Sequence, residues 1–244
     1  MLRAIGLLFI IFAAMPLSVA VAVEAVPAPF KATYSVSYRG VNAGQLHVEL
    51  RQETDGRLTY ENRISPGFLA SMLVSRKAVE RSTMRIDAGG VRPLHWLLDD
   101  GKPGQDDDGE LQFSWDKQRV RGTVDGKPLD VPIEAGMQDR LSFQIAAMTA
   151  LLRGQEPGTI PMIDKDRIKA YSYHRQKAEQ IRTPGGRFDT VLYESTRPGS
   201  SRVSRIWHAP ALGYLAVRFE RLNKGKVETV MELVSVERST VGQK

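Results

Sequence analysis

From residue 30 onward the chain alternates apolar and polar positions with a period of two. Phe30, Ala32, Tyr34, Val36 and Tyr38 share one parity, and Leu46, Val48 and Leu50 resume it after the turn residues 39–44. Leu58, Tyr60, Asn62 and Ile64 follow Asp55-Gly56, a dipeptide that hairpins favour. A period of two marks a half-buried strand, so 30–64 is predicted as a three-stranded meander. The pattern changes at Pro66-Gly67, where the stretch FLASMLV sets Phe68, Leu69, Met72 and Leu73 at helical spacing. That stretch is a short helix or an apolar loop. Strand-like runs return at 78–86, 91–98, 110–115, 119–124 and 129–133, and then at 168–174, 177–183, 188–196, 201–208, 214–222 and 227–236. Short strands punctuated by Gly and Asp suggest a sandwich or barrel.

One segment has the helical period. Met137, Leu141, Ile145, Met148 and Leu152 recur at three- and four-residue steps, with Asp139 placed to cap the start and Gly154 the end. Arg140, Gln144 and Thr149 occupy the other face. The expected fold is mainly β: a strongly curved antiparallel sheet forming an open or closed barrel, with one principal amphipathic helix packed against it.

The first residues add a compartment. Arg3 precedes an apolar run from Ala4 to Met15, Pro16 breaks it, and the small residues Ser18, Ala20, Ala22 and Ala25 follow. This is the order of a cleavable signal peptide, ending at Ala22 or as late as Ala25, and the run is short for a membrane span of roughly 20 residues. The mature chain is expected to be a single soluble β domain over 26–238, not an integral membrane protein. The 244 residues include no cysteine, which removes a lipobox, disulfides, thiolate metal sites and a thiol nucleophile. The net charge of +6 suits anionic envelope surfaces rather than nucleic acid, or serves solubility alone.

Motifs for chemistry are sparse. His47, His95, His174 and His208 show no i, i+4 pair and no HExxH, and Asp106, Asp107 and Asp108 lack the alternating spacing of a calcium loop. There is no GxSxG and no glycine-rich phosphate loop, so no cofactor, metal or catalytic residue is expected. Arg197, Arg202, Arg205, Arg218 and Arg221 fall on consecutive expected strands, where a cluster would suit phosphate or carboxylate and a solvated sheet face is the plain reading. Trp96, Trp115 and Trp207 either line an apolar cavity or fill it as core.

Four segments carry a resemblance to a known family: Tyr34-Ser35-Val36-Ser37-Tyr38 through Gly44; Gln138-Asp139-Arg140-Leu141-Ser142; Thr183-Pro184-Gly185-Gly186-Arg187-Phe188; and Arg205-Ile206-Trp207-His208-Ala209-Pro210 with Gly213-Tyr214-Leu215-Ala216-Val217-Arg218. The chain resembles DUF3108, a family of exported bacterial proteins of unknown function. Where the family pattern has Leu-Pro-Val, this chain has Leu215-Ala216-Val217. The resemblance implies a Gram-negative periplasmic or envelope location and carries no catalytic residues. In outline such a barrel with a helical cap is similar to lipoprotein carriers. The leading expectation is therefore a non-enzymatic periplasmic binding protein for an apolar or amphipathic envelope ligand such as a lipid. Phe68, Leu69, Met72 and Leu73 would gate the site, Trp96, Trp115 and Trp207 would line it, and Arg202, Arg205 and Arg218 would hold an anionic head group. The alternatives are a scaffold that binds another envelope protein through a sheet edge or the Phe68 patch, and a cell-wall hydrolase with two carboxylates, or a carboxylate and a histidine, in a cleft.

Overall fold

A computed structural model describes residues 25–68, 70–72, 75–104, 107–164 and 166–238. The signal segment, Leu69, Leu73 and the side chain of Met72 lie outside the described residues. Fourteen strands form one antiparallel sheet in the order β8-β7-β6-β5-β4-β3-β2-β1-β14-β13-β12-β11-β10-β9. The first half comprises β1 (Phe30–Tyr38), β2 (Val41–Gln52), β3 (Leu58–Pro66), β4 (Val79–Asp87), β5 (Gly90–Asp99), β6 (Gly109–Ser114), β7 (Arg119–Val124) and β8 (Lys127–Pro132). The second half comprises β9 (Thr159–Asp164), β10 (Arg167–Thr183), β11 (Gly186–Thr196), β12 (Arg202–Ala209), β13 (Leu215–Asn223) and β14 (Lys226–Arg238). Tight turns explain the meander. Arg39-Gly40, Asp125-Gly126 and Lys224-Gly225 have positive φ at both residues, the backbone twist that two-residue hairpins require. The first and last strands pair in the middle of the sheet, from Phe30 opposite Arg238 to Tyr38 opposite Thr229.

The outermost strands β8 and β9 are not hydrogen-bonded to each other, so the barrel is open. The segment ahead of the helix bridges part of that opening. Gln138 N–H donates to Pro161 O at 2.8 Å, Ile163 N–H donates to Gln138 O at 2.9 Å, and Gln138 Nε2 donates to Val91 O at 2.8 Å. Ile163 of β9 packs in one cluster with Trp96, Phe113, Val120, Ile133 and Met137. The two ends of the sheet therefore meet through side chains rather than a ladder.

Helix α1 (Ser142–Leu152) packs against β4 and β5. Leu141 at its N-cap, with Ile145 and Met148, joins a cluster with Phe30, Leu50, Tyr60, Met84, Trp207 and Leu233, while Ala147 and Leu151 join another with Tyr173, Tyr193 and Ile206. The turn leading into the helix is closed by Asp139, whose Oδ1 accepts from the N–H groups of Leu141 and Ser142 at 2.8 Å; Ser142 Oγ accepts from Asp139 N–H in return. Gly154 ends the helix at φ 69°. The polar side of the helix is narrower than its sequence suggests. Thr149 is buried, and its Oγ1 donates back to Ile145 O.

Three local readings change. Residues 70–72 form a single 3-10 turn. The two strands expected at 168–174 and 177–183 are one strand, β10, with a bulge between Arg175 and Ala178. β9 went unread because Pro161 interrupts it, and proline is tolerated there because β9 is an edge strand.

Candidate binding surface

The inside of the barrel is filled. Trp96 is buried among Leu111, Phe113 and Val120, and its Nε1 donates to Glu80 at 2.9 Å. Trp115 packs on the margin of that cluster with Nε1 donating to Pro93 O at 2.7 Å. Trp207 belongs to the separate helix-side cluster and donates to Glu179 at 2.8 Å. The structure thus brings Trp96 and Trp115 together and leaves Trp207 apart, with every indole N–H bonded inside the protein. A polar knot accompanies them. Arg140 Nε lies 3.3 Å from Glu80, whose carboxyl is raised by burial. Ser82 Oγ donates to Asp139 Oδ2 at 2.6 Å, and Tyr60 OH donates to Gln144 Oε1 at 3.3 Å. The buried Oδ1 of Asn62 has no hydrogen-bond partner among the described residues. An apolar cleft of about 180 Å³ opens between Val26, Pro27, Phe30, Met148, Leu152 and Leu215. That is smaller than the ~300 Å³ or more of an ordinary ligand pocket.

One end of the sheet is different. The registers gather there the last residues of β1 and β3, the first of β2, β12 and β14, and the turns between them. Tyr38 pairs with Val41 and with Thr229, Leu46 pairs with Ile64, and Gly67 N–H donates to Ala43 O just ahead of Phe68. Tyr38, Val41, Ile64, Phe68 and Val227 are all exposed, Phe68 to 81 %. The registers thus place five exposed apolar residues along one rim of the sheet, more than the isolated apolar residues that a surface normally shows. Cations share this end of the sheet. Arg39 lies over the Tyr38 ring at 5.1 Å and pairs with Glu228. Arg202 pairs in register with Asn223 at the same end, next to Arg197, Lys224 and Lys226. Among the described residues, Arg197, Lys224 and Lys226 have no carboxylate at ion-pair distance. Phe68 and Arg202 were legible in the sequence; the rim around them depends on strand registers that no local pattern reveals.

Arg205 and Arg218 sit elsewhere and are already compensated. Arg205 pairs with Glu194 at 2.8 Å, and Arg218 with Glu220 at 2.6 Å and Glu232 at 2.8 Å. Arg218 also lies over the Trp207 ring at 5.5 Å. The cross-strand pair Arg205–Glu220 completes an ion ladder on one sheet face, an arrangement that leaves little field for an anion.

Groups that could do chemistry are dispersed. A polar cleft of about 240 Å³ includes Thr33, His47, Glu61 and Arg63. His47 lies 3.2 Å from Thr33 Oγ1 through Nδ1 and 3.1 Å from Ser65 Oγ through Nε2. This is a serine–imidazole contact, but the hydroxyl behind the ring carries no charge to stabilise an imidazolium. Glu61 accepts from Arg63 and Arg81 at 2.7 Å; burial opposes ionisation of its carboxyl, and the two arginines hold it low. His95 Nε2 and Glu110 Oε1 are 2.8 Å apart, with both side chains open to solvent rather than in a cleft. Asp108 of the acidic loop meets Asp99 and Asp100, a juxtaposition the sequence reading missed because β5 and the loop are linked only by folding. Each of the three carboxylates already accepts a backbone N–H.

Among solved structures, the chain is similar to a beta-barrel-like protein of domain of unknown function DUF1849 from Brucella abortus. The TM-score is 0.53 at 11% identity, over 88% of this chain and 99% of that one. The likeness is one of fold. A weaker similarity is to the MucA/MucB complex of Pseudomonas aeruginosa, with a TM-score of 0.42 and 12% identity over 91% of this chain and 55% of that one. Comparison with curated proteins returns no match. In sequence, the profile of a protein family of unknown function matches residues 33–233, from within β1 to within β14. The chain belongs to the DUF3108 family.

Proposed function

We propose that this protein is an exported, non-enzymatic binding protein of the Gram-negative envelope, and that it takes amphipathic anionic lipid at the rim rather than in the barrel interior. The observation that carries this reading is Phe68, 81 % exposed at the end of the sheet that also carries the exposed Tyr38, Val41, Ile64 and Val227 and the cations Arg197, Arg202, Lys224 and Lys226. Inserting a phenylalanine side chain into an apolar phase is worth ~1.5–3 kcal/mol. Each cation close to an anionic lipid surface adds ~1 kcal/mol. Together these suffice for a reversible surface attachment, with the filled barrel acting as the rigid platform that presents the rim. Leu69, Met72 and Leu73 follow Phe68 in the sequence, and their apolar side chains would add to the same lipid contact.

The test is co-sedimentation with vesicles of phosphatidylglycerol and phosphatidylethanolamine. The mature protein is expected to bind, more weakly as salt rises, and Phe68→Asp to lower the affinity by at least about tenfold, the equivalent of ~1.4 kcal/mol. An exposed position carries little folding energy, so the variant should melt at the wild-type temperature. Equal binding by Phe68→Asp, or no binding by the wild type, refutes the assignment.

A further inference from the structure

β10 is longer than the strand that covers it. β9 pairs with it only from Arg167 to Ser172, and Tyr173 N–H is met by Gly158 O. Among the described residues, the strand from 174 to 182 is hydrogen-bonded on one side alone, to β11. Residues 174–178, 180 and 182 are exposed. The hairpin that ends β10 turns at Pro184-Gly185, with Thr183 opposite Gly186. A two-residue turn makes that closing pair the hydrogen-bonded one. By the alternation of an antiparallel ladder, Arg182, Gln180 and Ala178 then direct their backbone N–H and C=O groups to the free side. The tip is held in place: Gly185 N–H donates to Leu233 O at 2.8 Å, and a Cβ on Gly185 would lie 3.0 Å from the carbonyl oxygens of Leu233 and Val234. The free edge is a rigid template.

The charges on it are mostly positive, with Glu179 among them; Arg175 lies 3.6 Å from Glu156, and Lys177 pairs with Glu179. Arg175, Lys177 and Arg182 lie along the edge, and Arg187 stands directly opposite Arg182. Like charges in directly opposed positions destabilise a sheet. Neither Arg182 nor Arg187 has an ion-pair partner among the described residues. The acidic residues nearby are engaged: Glu179 by Lys177 and the Trp207 indole, Asp189 by Gln180. An anionic strand laid beside β10 would meet three N–H and three C=O groups and relieve the Arg182–Arg187 repulsion. A second copy of this chain would instead bring the same cations face to face.

We infer that the outer edge of β10 is a docking site for an extended, acidic segment of a partner protein, which adds to the sheet as a strand. The bulge at Arg175 to Ala178 and the lysine at 177 limit indiscriminate pairing, so selectivity lies in the charge of the incoming strand. This site is separate from the lipid rim and stands or falls on its own.

Two fluorescein-labelled peptides test it by anisotropy, one alternating valine with glutamate, the other valine with lysine. The glutamate peptide is expected to bind at least about tenfold more tightly than the lysine peptide. Relative to Gln180→Ala, which loses the same side-chain bond to Asp189, Gln180→Pro removes one outward N–H and no ladder bond, a substitution that edge strands tolerate. It is expected to weaken the glutamate peptide by about tenfold with the circular dichroism spectrum and vesicle binding unchanged. If Gln180→Pro proves unstable, the double variant Arg182→Glu with Arg187→Glu decides: peptide preference should invert. Undiminished binding by the folded Gln180→Pro variant, an unaltered preference in the double variant, or no binding of the glutamate peptide to wild type overturns the inference. So does concentration-dependent dimerisation, seen by sedimentation, that Gln180→Pro abolishes. Phe68→Asp should leave peptide binding intact, which separates failure of this site from failure of the lipid rim.

Discussion

Replacing Asp139 by alanine is expected to be the most damaging single change away from the hydrophobic core, costing ~3–4 kcal/mol. Three donors converge on this one buried carboxylate: Leu141 N–H, Ser142 N–H and Ser82 Oγ. Loss of a helix cap costs ~1 kcal/mol. Each buried donor left without an acceptor adds ~1–3 kcal/mol, reduced where water can enter. The consequence is more than local. Asp139 precedes the only α-helix among the described residues, and its neighbour Gln138 is the residue that bridges β9 and β5. A frayed helix start therefore loosens the closure of the barrel as well as the core around Ile145. Urea denaturation at pH 5, followed by far-ultraviolet circular dichroism, measures the loss. For a chain of this size each kcal/mol corresponds to ~2–4 °C in Tm. Asp139→Asn keeps an acceptor for both backbone donors and should lose less than half as much. Equal losses in the two variants would show that the two backbone bonds to Oδ1 do not carry the energy.

How much of this could be read from residues alone follows from where each signal resides. The strand from Phe30 to Tyr38 alternates because one of its faces is buried and the other is not, so its pattern is local. The signals at Asp139 and Gly154 are local as well: Asp139 closes the turn ahead of the helix, whose N-cap is Leu141, and Gly154 stands where the sequence placed the stop. β9 was invisible because a Pro in a six-residue run reads as loop until its edge position is known. The bulge in β10 split one strand into two for the same reason: the extra residue breaks the period without ending the pairing. The tryptophans show a harder limit. A cavity wall and a packed core use the same residue types, and only the positions of Trp96 and Trp207 in two separate clusters distinguish them. The Phe68 stretch stood out in sequence because it is apolar without strand alternation. Its basic surroundings come from β1, β12 and β14, distant in the chain and adjacent only through register. The free edge of β10 is likewise a property of what fails to pair with it, which no single segment encodes.

Acid titration of stability should expose two buried groups that oppose each other. Burial pushes the Asp139 carboxyl up from 3.8 to about 6, against the pull of Ser82, Ser142 and Leu141. In the unfolded chain this acid ionises first, so the folded state binds the extra proton. The stabilisation it provides is present below pH 4 and disappears as pH rises through 6. His208 runs the other way. Burial pushes its imidazole down from 6.5 to about 4, although Nδ1–H donates to Tyr214 O at 2.7 Å, and its Nε2 is buried without a partner beside the Tyr193 ring. Its contribution is complete above pH 6.5 and is lost as pH falls through 4. Each shift of about two units corresponds to ~3 kcal/mol. Between pH 4 and 6 the two slopes nearly cancel in the wild type, and each single variant uncovers the other. Relative to wild type, Asp139→Asn should gain ~3 kcal/mol as pH rises from 4 to 6, leaving the His208 slope bare. His208→Asn keeps a donor for Tyr214 O and should gain a similar ~3 kcal/mol relative to wild type as pH falls from 6.5 to 4. The double variant should again be nearly flat from these two sites. Urea midpoints at intervals across that range give the slopes directly. A His208→Asn variant that parallels the wild type at every pH would mean that the ring is solvated or charged in the folded protein, and that its contact with Tyr193 is open to water.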